Sequence, residues 1–517
     1  MDRPRQDQDW LRDQLYQILL RVQTAATPQP DQGRYPGFGD QDPGSRKNGA
    51  GLMRRYEKYK DSGIEWIGEI PEHWEIKKIK HLTKLIGGYA FKSEFFSLEG
   101  IPVIRIGDIS DNINFELCNK IISEDISIEF FLNQYDTLIA LSGATVGKAC
   151  YINKTPPKAY VNQRVAKIPF QNKFLFYIIT SSYIQKQIIL TSLGSAQENI
   201  SNSQIENLDI ALTNISSEQT AIATYLDQKT AEIDALITDK KRLLELYEEE
   251  KSAIINEAVT KGVASTRLAS TRLASTGSAA LGGGGLKEKK VLDETPALGG
   301  VKMKDSGIEW MGEIPAHWEM KRLRHVAKVQ TGCTPLIQNS EIDYFENGTI
   351  NWYTPSDFHS NDELSISKRQ INKKAVEDGQ VILFPEYSIY LVSIGATLGK
   401  VSFTKETASA NQQINVITFY ETMLNPIFGY FFFIANKENI KLEADYTTLP
   451  ILNQSKAKNL LLACPPVEEQ KEIAQYIEAE TKRIDTKKEK TQKLIDLLTE
   501  YRTALISEVV TGKVKVV

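Results

Sequence analysis

Two glycine-rich stretches carry the residue types and spacing closest to a chemical site: SGATVGK at 142–148 and IGATLGK at 394–400. A phosphate-binding loop with this Gly-Lys ending needs a glycine where Ser142 and Ile394 stand, and a serine or threonine where Ala149 and Val401 follow the lysines. Neither copy therefore makes a nucleotide site. No GxGxxG occurs, and the Pro-Pro pairs at 156–157 and 465–466 lack the Asn or Asp before and the aromatic after that an amino-methyltransferase would place there. Pro71, Glu72, Glu75 and Lys77 loosely resemble a nuclease core, but they are spaced too tightly for a metal, and the second copy keeps only Pro315, Glu319 and Lys321. His73 and His317 each precede a tryptophan in an apolar context and read as structural. The cysteines (Cys118, Cys150, Cys333, Cys464) are far apart with no CxxC spacing, so neither a disulfide framework nor a zinc site is indicated, which suits a reducing cytoplasm. No catalytic constellation emerges.

The same stretches supply side chains of the kind that read base edges: Arg or Lys toward guanine, Asn or Gln toward adenine, small or hydroxyl groups near thymine. Ser142 and Thr145 offer hydroxyls, Lys148 can meet a phosphate, and Gly143, Ala144 and Gly147 let the backbone approach a surface. Thr397 and Lys400 are their counterparts in the second copy. Asn162, Gln163 and Arg164 follow about fifteen residues on. Asn411, Gln412 and Gln413 do the same in copy two. Further candidates are Lys92, Arg105 and Asp108, then Tyr353, Ser356 and Asp357, because IPVIRIGDI and TINWYTPSDF both read as a strand leading into a polar turn. The alternative is a strand-turn-strand hairpin whose polar residues are merely solvated.

What must position these residues is a unit written twice. KDSGIEWIGEIPEHWE at 60–75 recurs as KDSGIEWMGEIPAHWE at 304–319, with two of sixteen positions changed. The glycine-rich turns, the Asn-Gln pairs and a closing NEAVTKG (256–262) and SEVVTGK (507–513) repeat in the same order at nearly the same offset. Between the opening and the turn, 82–140 and 326–391 diverge almost completely. A shared frame with unlike contents points to two recognition surfaces of different specificity, or to one copy that has drifted.

Each unit ends in a long helix. Residues 217–260 contain no Pro or Gly, and Glu218-Gln219 after Ser216-Ser217 resembles a helix start. Ile222, Leu226, Ile233, Leu236, Leu243, Tyr247 and Ile254 form an apolar stripe at coiled-coil spacing. Residues 467–511 carry Ile473, Ile477, Ile484, Leu494, Leu498, Tyr501 and Leu505 in the same way. Forty-odd residues make each helix roughly 65 Å long, and an apolar seam on each predicts that they pair with one another. Residues 263–301 read as a flexible linker with ASTRL at 264–268 and 269–273 and a GGGG run, the alternative being that the ASTRL copies extend the preceding helix. Before the repeat, 10–22 could form a short amphipathic helix and the Gln, Pro, Gly and Asp-rich stretch after it reads as disordered.

Bulk properties are those of an ordinary globular chain of 517 residues with no apolar stretch long enough to span a membrane and no secretory signal. A net charge of −4 is not that of a protein held to nucleic acid by bulk electrostatics, so any DNA contact must use local patches or basic partners.

Two units opening with GIEWIGEIPEHWE and GIEWMGEIPAHWE, each carrying GAT-x-GK and closing with an EQ-initiated long helix, resemble the specificity subunits of Type I restriction-modification systems. The resemblance covers about 56–513. It implies an α+β chain with internal pseudo-two-fold duplication, in which two α/β target recognition domains are separated by two long antiparallel coiled-coil helices. Laid on this sequence, it gives an extension at 1–52, recognition domains at 53–214 and 302–464, helices at 215–262 and 465–513, and the linker between. Each domain is expected to read one half of a split double-stranded DNA target, with the helices holding the two readers more than one DNA turn apart. The helical regions would dock two methyltransferase subunits, and through them restriction subunits. No cofactor is expected on this chain; S-adenosylmethionine, ATP and magnesium belong to those partners, and the setting is cytoplasmic. Tandem repeats such as ASTRL are expected to set the spacing between half-sites. Two rival readings are a duplicated coiled-coil scaffold that binds proteins rather than DNA, and a solitary enzyme with an unrecognised site.

Overall fold

The computed structural model describes residues 55–516 apart from 111, 123–125, 194–198, 264–300, 336–342, 360–362 and 447–448. The expected extension at 1–52, its short helix and the ASTRL copies lie outside the described residues. The chain divides into two compact units, Met1–Arg242 with Lys490–Val517, and Leu243–Glu489. The division crosses both long helices, so each unit takes the start of one and the end of the other.

In unit 1, strands β1 (Tyr59–Asp61) and β2 (Glu69–Pro71) form a hairpin, and β3 (Glu75–Lys78) awaits a distant partner. β4 (Ile86–Gly87), β5 (Phe96–Ser97), β6 (Ile101–Ile104), β7 (Lys120–Ile121), β8 (Asp136–Ala140), β9 (Ala149–Tyr151), β10 (Tyr160–Val161) and β11 (Val165–Pro169) build two sheets, ordered β4-β11-β8-β9 and β10-β6-β7-β5. Helices α1 (Phe174–Thr180), α2 (Ser182–Ser192) and α3 (Asn202–Glu206) follow. β12 (Asp209–Leu212) then closes on β3, and the chain enters α4 (Ser216–Lys261). β8 reads DTLIA with every residue buried, because both faces of its sheet are covered. Ile139 packs with Trp74, Phe174 and Ile178 on one side, while Leu138 and Ala140 pack with Ile104, Cys150 and Val161 on the other.

Unit 2 repeats this order although its sequence has diverged. β13 (Met303–Asp305) and β14 (Glu313–Pro315) form the hairpin, followed by β15 (Glu319–Arg322), a helical turn α5 (Leu323–Val326) and β16 (Ala327–Thr331). β17 (Ile350–Tyr353), β18 (Gln370–Ile371), α6 (Lys373–Glu377), β19 (Ile389–Val392), β20 (Val401–Phe403), β21 (Ser409–Ala410) and β22 (Ile414–Phe419) come next. Sheet order β16-β22-β19-β20 matches that of unit 1, and β17 pairs β21 in parallel as β6 pairs β10. Helices α7 (Pro426–Ala435) and α8 (Lys437–Leu442), strands β23 (Asp445–Tyr446) and β24 (Pro450–Ile451), helix α9 (Gln454–Asn459) and strand β25 (Leu461–Cys464) lead into α10 (Val467–Val510). Along β19, Ile389 and Leu391 face one core while Tyr390 and Val392 face the other. The chain is thus α+β, with two duplicated α/β domains and two long helices.

The apolar stripes of α4 and α10 serve two purposes. At its start α4 drives Ile222, Leu226 and Ile233 into the same core as Trp74 and Phe174, joined there by Leu494, Leu498 and Leu505 of α10, with Leu236 and Tyr501 packed at its edge. In unit 2, Ile473 and Ile477 of α10 enter the core around Trp318, and Ile484 is fully buried. Leu243, Tyr247 and Ile254 are half-buried. The helices run antiparallel within unit 2, where Lys251 pairs with Asp485 at 2.9 Å and Lys488 pairs with Glu248. In unit 1, Arg502 Nη2 donates to Asp234 at 3.1 Å.

The repeated HWE and EQ motifs meet in space. The Nε2 of His73 lies 3.0 Å from Glu218 in the first turn of α4, and the Trp74 indole donates to the same carboxylate at 3.3 Å. His317 and Trp318 hold Glu469 of α10 at 2.8 and 3.1 Å. The adjacent glutamines seal the turn: Gln219 donates to the Thr213 carbonyl at 2.7 Å, and Gln470 to that of Pro465 at 2.8 Å. An acidic side chain here also suits the positive end of the helix dipole. Burial opposes charge on Glu218, but hydrogen bonds from Thr213, Tyr56, His73 and Trp74 outweigh it and hold the carboxyl below its usual range.

Candidate nucleic-acid interface

Three turns converge at one end of the sheets in each unit. In unit 1 the first follows β6, a 3-10 turn over Ile106–Asp108. Asp108 accepts the Arg105 amide at 2.8 Å and so caps that turn. The second is Gly143–Thr145 between β8 and β9, and the third is 162–164 between β10 and β11. Backbone bonds tie them together: Asn162 N to Ile104 O at 2.9 Å, Leu141 N to Arg164 O at 2.9 Å, and Gln163 N to Tyr89 O at 2.9 Å. Unit 2 repeats the set. Asp357 accepts the Thr354 amide at 2.8 Å, Asn411 N bonds Tyr353 O at 2.9 Å, and Ser393 N bonds Gln413 O at 2.8 Å.

Gly143 and Gly147 have φ of 73° and 82°, and Gly395 and Gly399 have 92° and 87°. The repeated glycines are thus required by the turn itself, since L-residues avoid this region. Gly147 further lies under Gln185 of α2, which donates to its carbonyl at 2.9 Å. Expecting these glycines to bring the backbone near a ligand is unnecessary to explain them.

The candidate side chains separate into free and engaged. Lys148, Gln163 and Arg164 are exposed on their turns. Lys92 is exposed beside Glu94 at 3.9 Å, and Arg105 is exposed with its guanidinium 5.8 Å from the Phe96 ring centroid. Ser356 is exposed, with its hydroxyl 2.9 Å from that of Thr354. Asn162 is half-buried, and its Oδ1 accepts the Arg164 amide at 3.3 Å. Ser142 is 7% exposed, and its hydroxyl and that of Thr145 lack a partner among the described residues. Thr397 is half-buried. Gln412 is exposed but accepts from Thr334, and Gln413 is held by Asn411 at 3.0 Å.

Five candidate residues depart from expectation. Tyr353 is fully buried, with its hydroxyl donating to the Ser365 carbonyl at 2.9 Å, so it is a core residue and not a surface contact. Asp108 commits one carboxylate oxygen to the Arg105 amide, and Asp357 commits both of its own, to the Thr354 and Lys368 amides. Lys400 donates to the Phe358 carbonyl at 2.9 Å, and Asn411 is 7% exposed with both side-chain ends used in its own turn.

Gly88 and Gly332 escaped sequence reading. A Cβ on Gly88 would sit 2.2 Å from the Asn162 carbonyl oxygen, and one on Gly332 would sit 2.3 Å from that of Ala410. Both glycines let the strand that follows the HWE frame pass directly beneath the Asn-Gln turn. They stand at the same offset of 244 as the opening motif, which was the available signal.

Residues 71–246 and 315–495 match the family described as Type I restriction modification DNA specificity domain. The chain belongs to this family. A specificity subunit of the Type I restriction enzyme MjaVIII from Methanocaldococcus jannaschii is 31% identical over 212 residues, 38% of this chain and 47% of that protein, so the match spans about half of that relative's length. The putative MjaX specificity subunit of the same organism is 23% identical over 469 residues, 87% of this chain and 96% of that protein. A solved structure described as the basis of complex assembly and conformational transition of the type I R-M system aligns with a TM-score of 0.56 at 13% identity. It covers 85% of this chain and 98% of that chain, which shows a shared fold. Both specificity domains of this chain carry the three converging turns. No group of His, Cys, Asp and Glu able to hold a metal occurs among the described residues, and no described helix is long and apolar enough to cross a membrane.

Proposed function

We propose that this chain is the non-catalytic specificity subunit of a Type I restriction-modification complex and reads a two-part double-stranded DNA target, one half per unit. The observation that carries this reading is the recurrence of the same three-turn scaffold with different free side chains. Unit 1 presents Gln163 and Arg164 where unit 2 presents Gln412 and an immobilised Gln413. A scaffold conserved in backbone and varied in its exposed polar groups is what reading two unlike half-sites requires. Two methyltransferase subunits dock on the duplicated frame, which offers the same surface twice, and restriction subunits join through them. Those partners supply S-adenosylmethionine, ATP and magnesium chemistry, and positive charge that a chain of net −4 lacks. Reading takes place in the cytoplasm.

The test is single-molecule methylome sequencing of cells expressing the chain with its methyltransferase partner. Methylated adenines within one gapped, two-part motif are the expected result. Methylation without a gapped motif, or methylation that persists when this chain is deleted, overturns the proposal.

A further inference from the structure

We propose that Arg164 reads a guanine in the half-site contacted by unit 1, and that unit 2 has no counterpart to this contact. The inference rests on the DNA-reading role above and assigns chemistry to one residue within it.

The turn that carries Arg164 is rigid before any ligand arrives. Its own amide bonds the Oδ1 of Asn162, its carbonyl accepts from Leu141, and Val165 N bonds Asn162 O at 2.8 Å. Gly88 permits the strand beneath to pass at a distance no side chain would tolerate. On this fixed backbone the Arg164 side chain is exposed, and its guanidinium has no partner among the described residues. A side chain already anchored at its root loses less freedom on contact, and the planar guanidinium fork matches the O6 and N7 acceptors of guanine in the major groove.

The other cations of this surface are less suited. Arg105 lies over the Phe96 ring, Lys92 lies beside Glu94, and Lys148 is a single point charge better matched to a phosphate. In unit 2 the equivalent position is Gln413, half-buried, with its Oε1 occupied by Asn411 at 3.0 Å. The same turn therefore presents a guanine reader in one copy and none in the other.

The experiment uses the full chain assembled with its methyltransferase subunits, with wild type, Arg164→Lys and Arg164→Ala compared by methylome sequencing. Wild type should show a guanine in one half of the target. Arg164→Ala should relax that single position by about 5- to 150-fold in discrimination, the range of one bidentate base contact. Arg164→Lys, which can still donate to guanine but lacks the planar fork, should relax it less, with the other half and the spacing unchanged in both. Arg164→Lys separates the alternatives, since lysine keeps a phosphate contact but lacks the fork. If Arg164→Lys restores the wild-type motif while Arg164→Ala lowers methylation evenly at all sites, the residue contacts phosphate and the inference fails. An unchanged motif in both variants also overturns it. A wild-type complex without any gapped motif would instead strike the DNA-reading proposal itself.

Discussion

Glu218 gathers more hydrogen bonds than any surface carboxylate would. Tyr56 donates to it at 2.6 Å and Thr213 at 2.5 Å, alongside His73 and Trp74, and the residue is 7% exposed. Its carboxyl is held below the usual value of 4.5 by these donors against the opposing effect of burial. A carboxyl whose folded pKa is depressed stabilises the fold fully above its unfolded pKa, and that contribution disappears as pH falls through the folded value. Glu218→Gln keeps the shape and removes the charge. It should destabilise unit 1 by about 2 kcal/mol near neutral pH, the scale of a hydrogen bond to a charged group. The gap from wild type should close as pH drops below about 4.5. Thermal unfolding between pH 3 and 7 measures this, and a gap independent of pH would show that the charge is irrelevant. The repeated HWE and EQ motifs thus form a latch between the repeated opening segment and the first turn of each long helix.

At the level of elements, what the sequence reveals is what short-range patterning controls. The apolar stripes at coiled-coil spacing gave both long helices, and Gly-rich turns between apolar runs gave the β8–β9 and β19–β20 hairpins. The strand-into-turn reading of 101–109 and 349–358 holds because an aspartate four residues past the strand end caps the turn in each copy. Tyr353 could not be placed this way. Asn351, Trp352 and Tyr353 are all buried, and only the two-sided covering of β17, absent from local sequence, makes them so. The constraint on Gly88 and Gly332 is invisible to local patterning for a related reason, since it comes from chain more than 70 residues away. Gly88→Ala should force the Asn162 turn outward and cost about 1–3 kcal/mol, the usual penalty of overpacking. If chemical denaturation instead finds Gly88→Ala as stable as wild type, the close approach is not a real constraint. A variant that remains folded should also lose discrimination in one half-site only, because the displaced turn carries Gln163 and Arg164.

At the scale of the whole molecule, each unit is assembled from distant pieces of chain, and this governs what a half-chain can do. The segment around Pro71 and Trp74 seats the end of α10, where a Cβ on Gly512 would meet the Pro71 ring at 2.4 Å and Val509 and Val510 are fully buried. The corresponding segment around Trp318 seats the end of α4, with Gly262 3.5 Å from the Trp318 ring by the same measure and Ala258 and Val259 fully buried. The two seats share the sequence GEIP-x-HWE, and the two helix ends share a Val-Thr pair before their glycine. A fragment of residues 55–263 keeps the first seat but loses the end of α10, and it keeps the end of α4 but loses the second seat. Two such fragments hold complementary surfaces, each offering the helix end that the other lacks. Closure by a two-fold axis satisfies both at once. Sedimentation equilibrium should therefore find the fragment dimeric. Val259→Asp, which places a charge in the seat, should shift it to monomer, since an unpaired buried charge is strongly unfavourable. A folded, monomeric fragment with native near-ultraviolet dichroism would mean that the helix ends are dispensable to the units they complete.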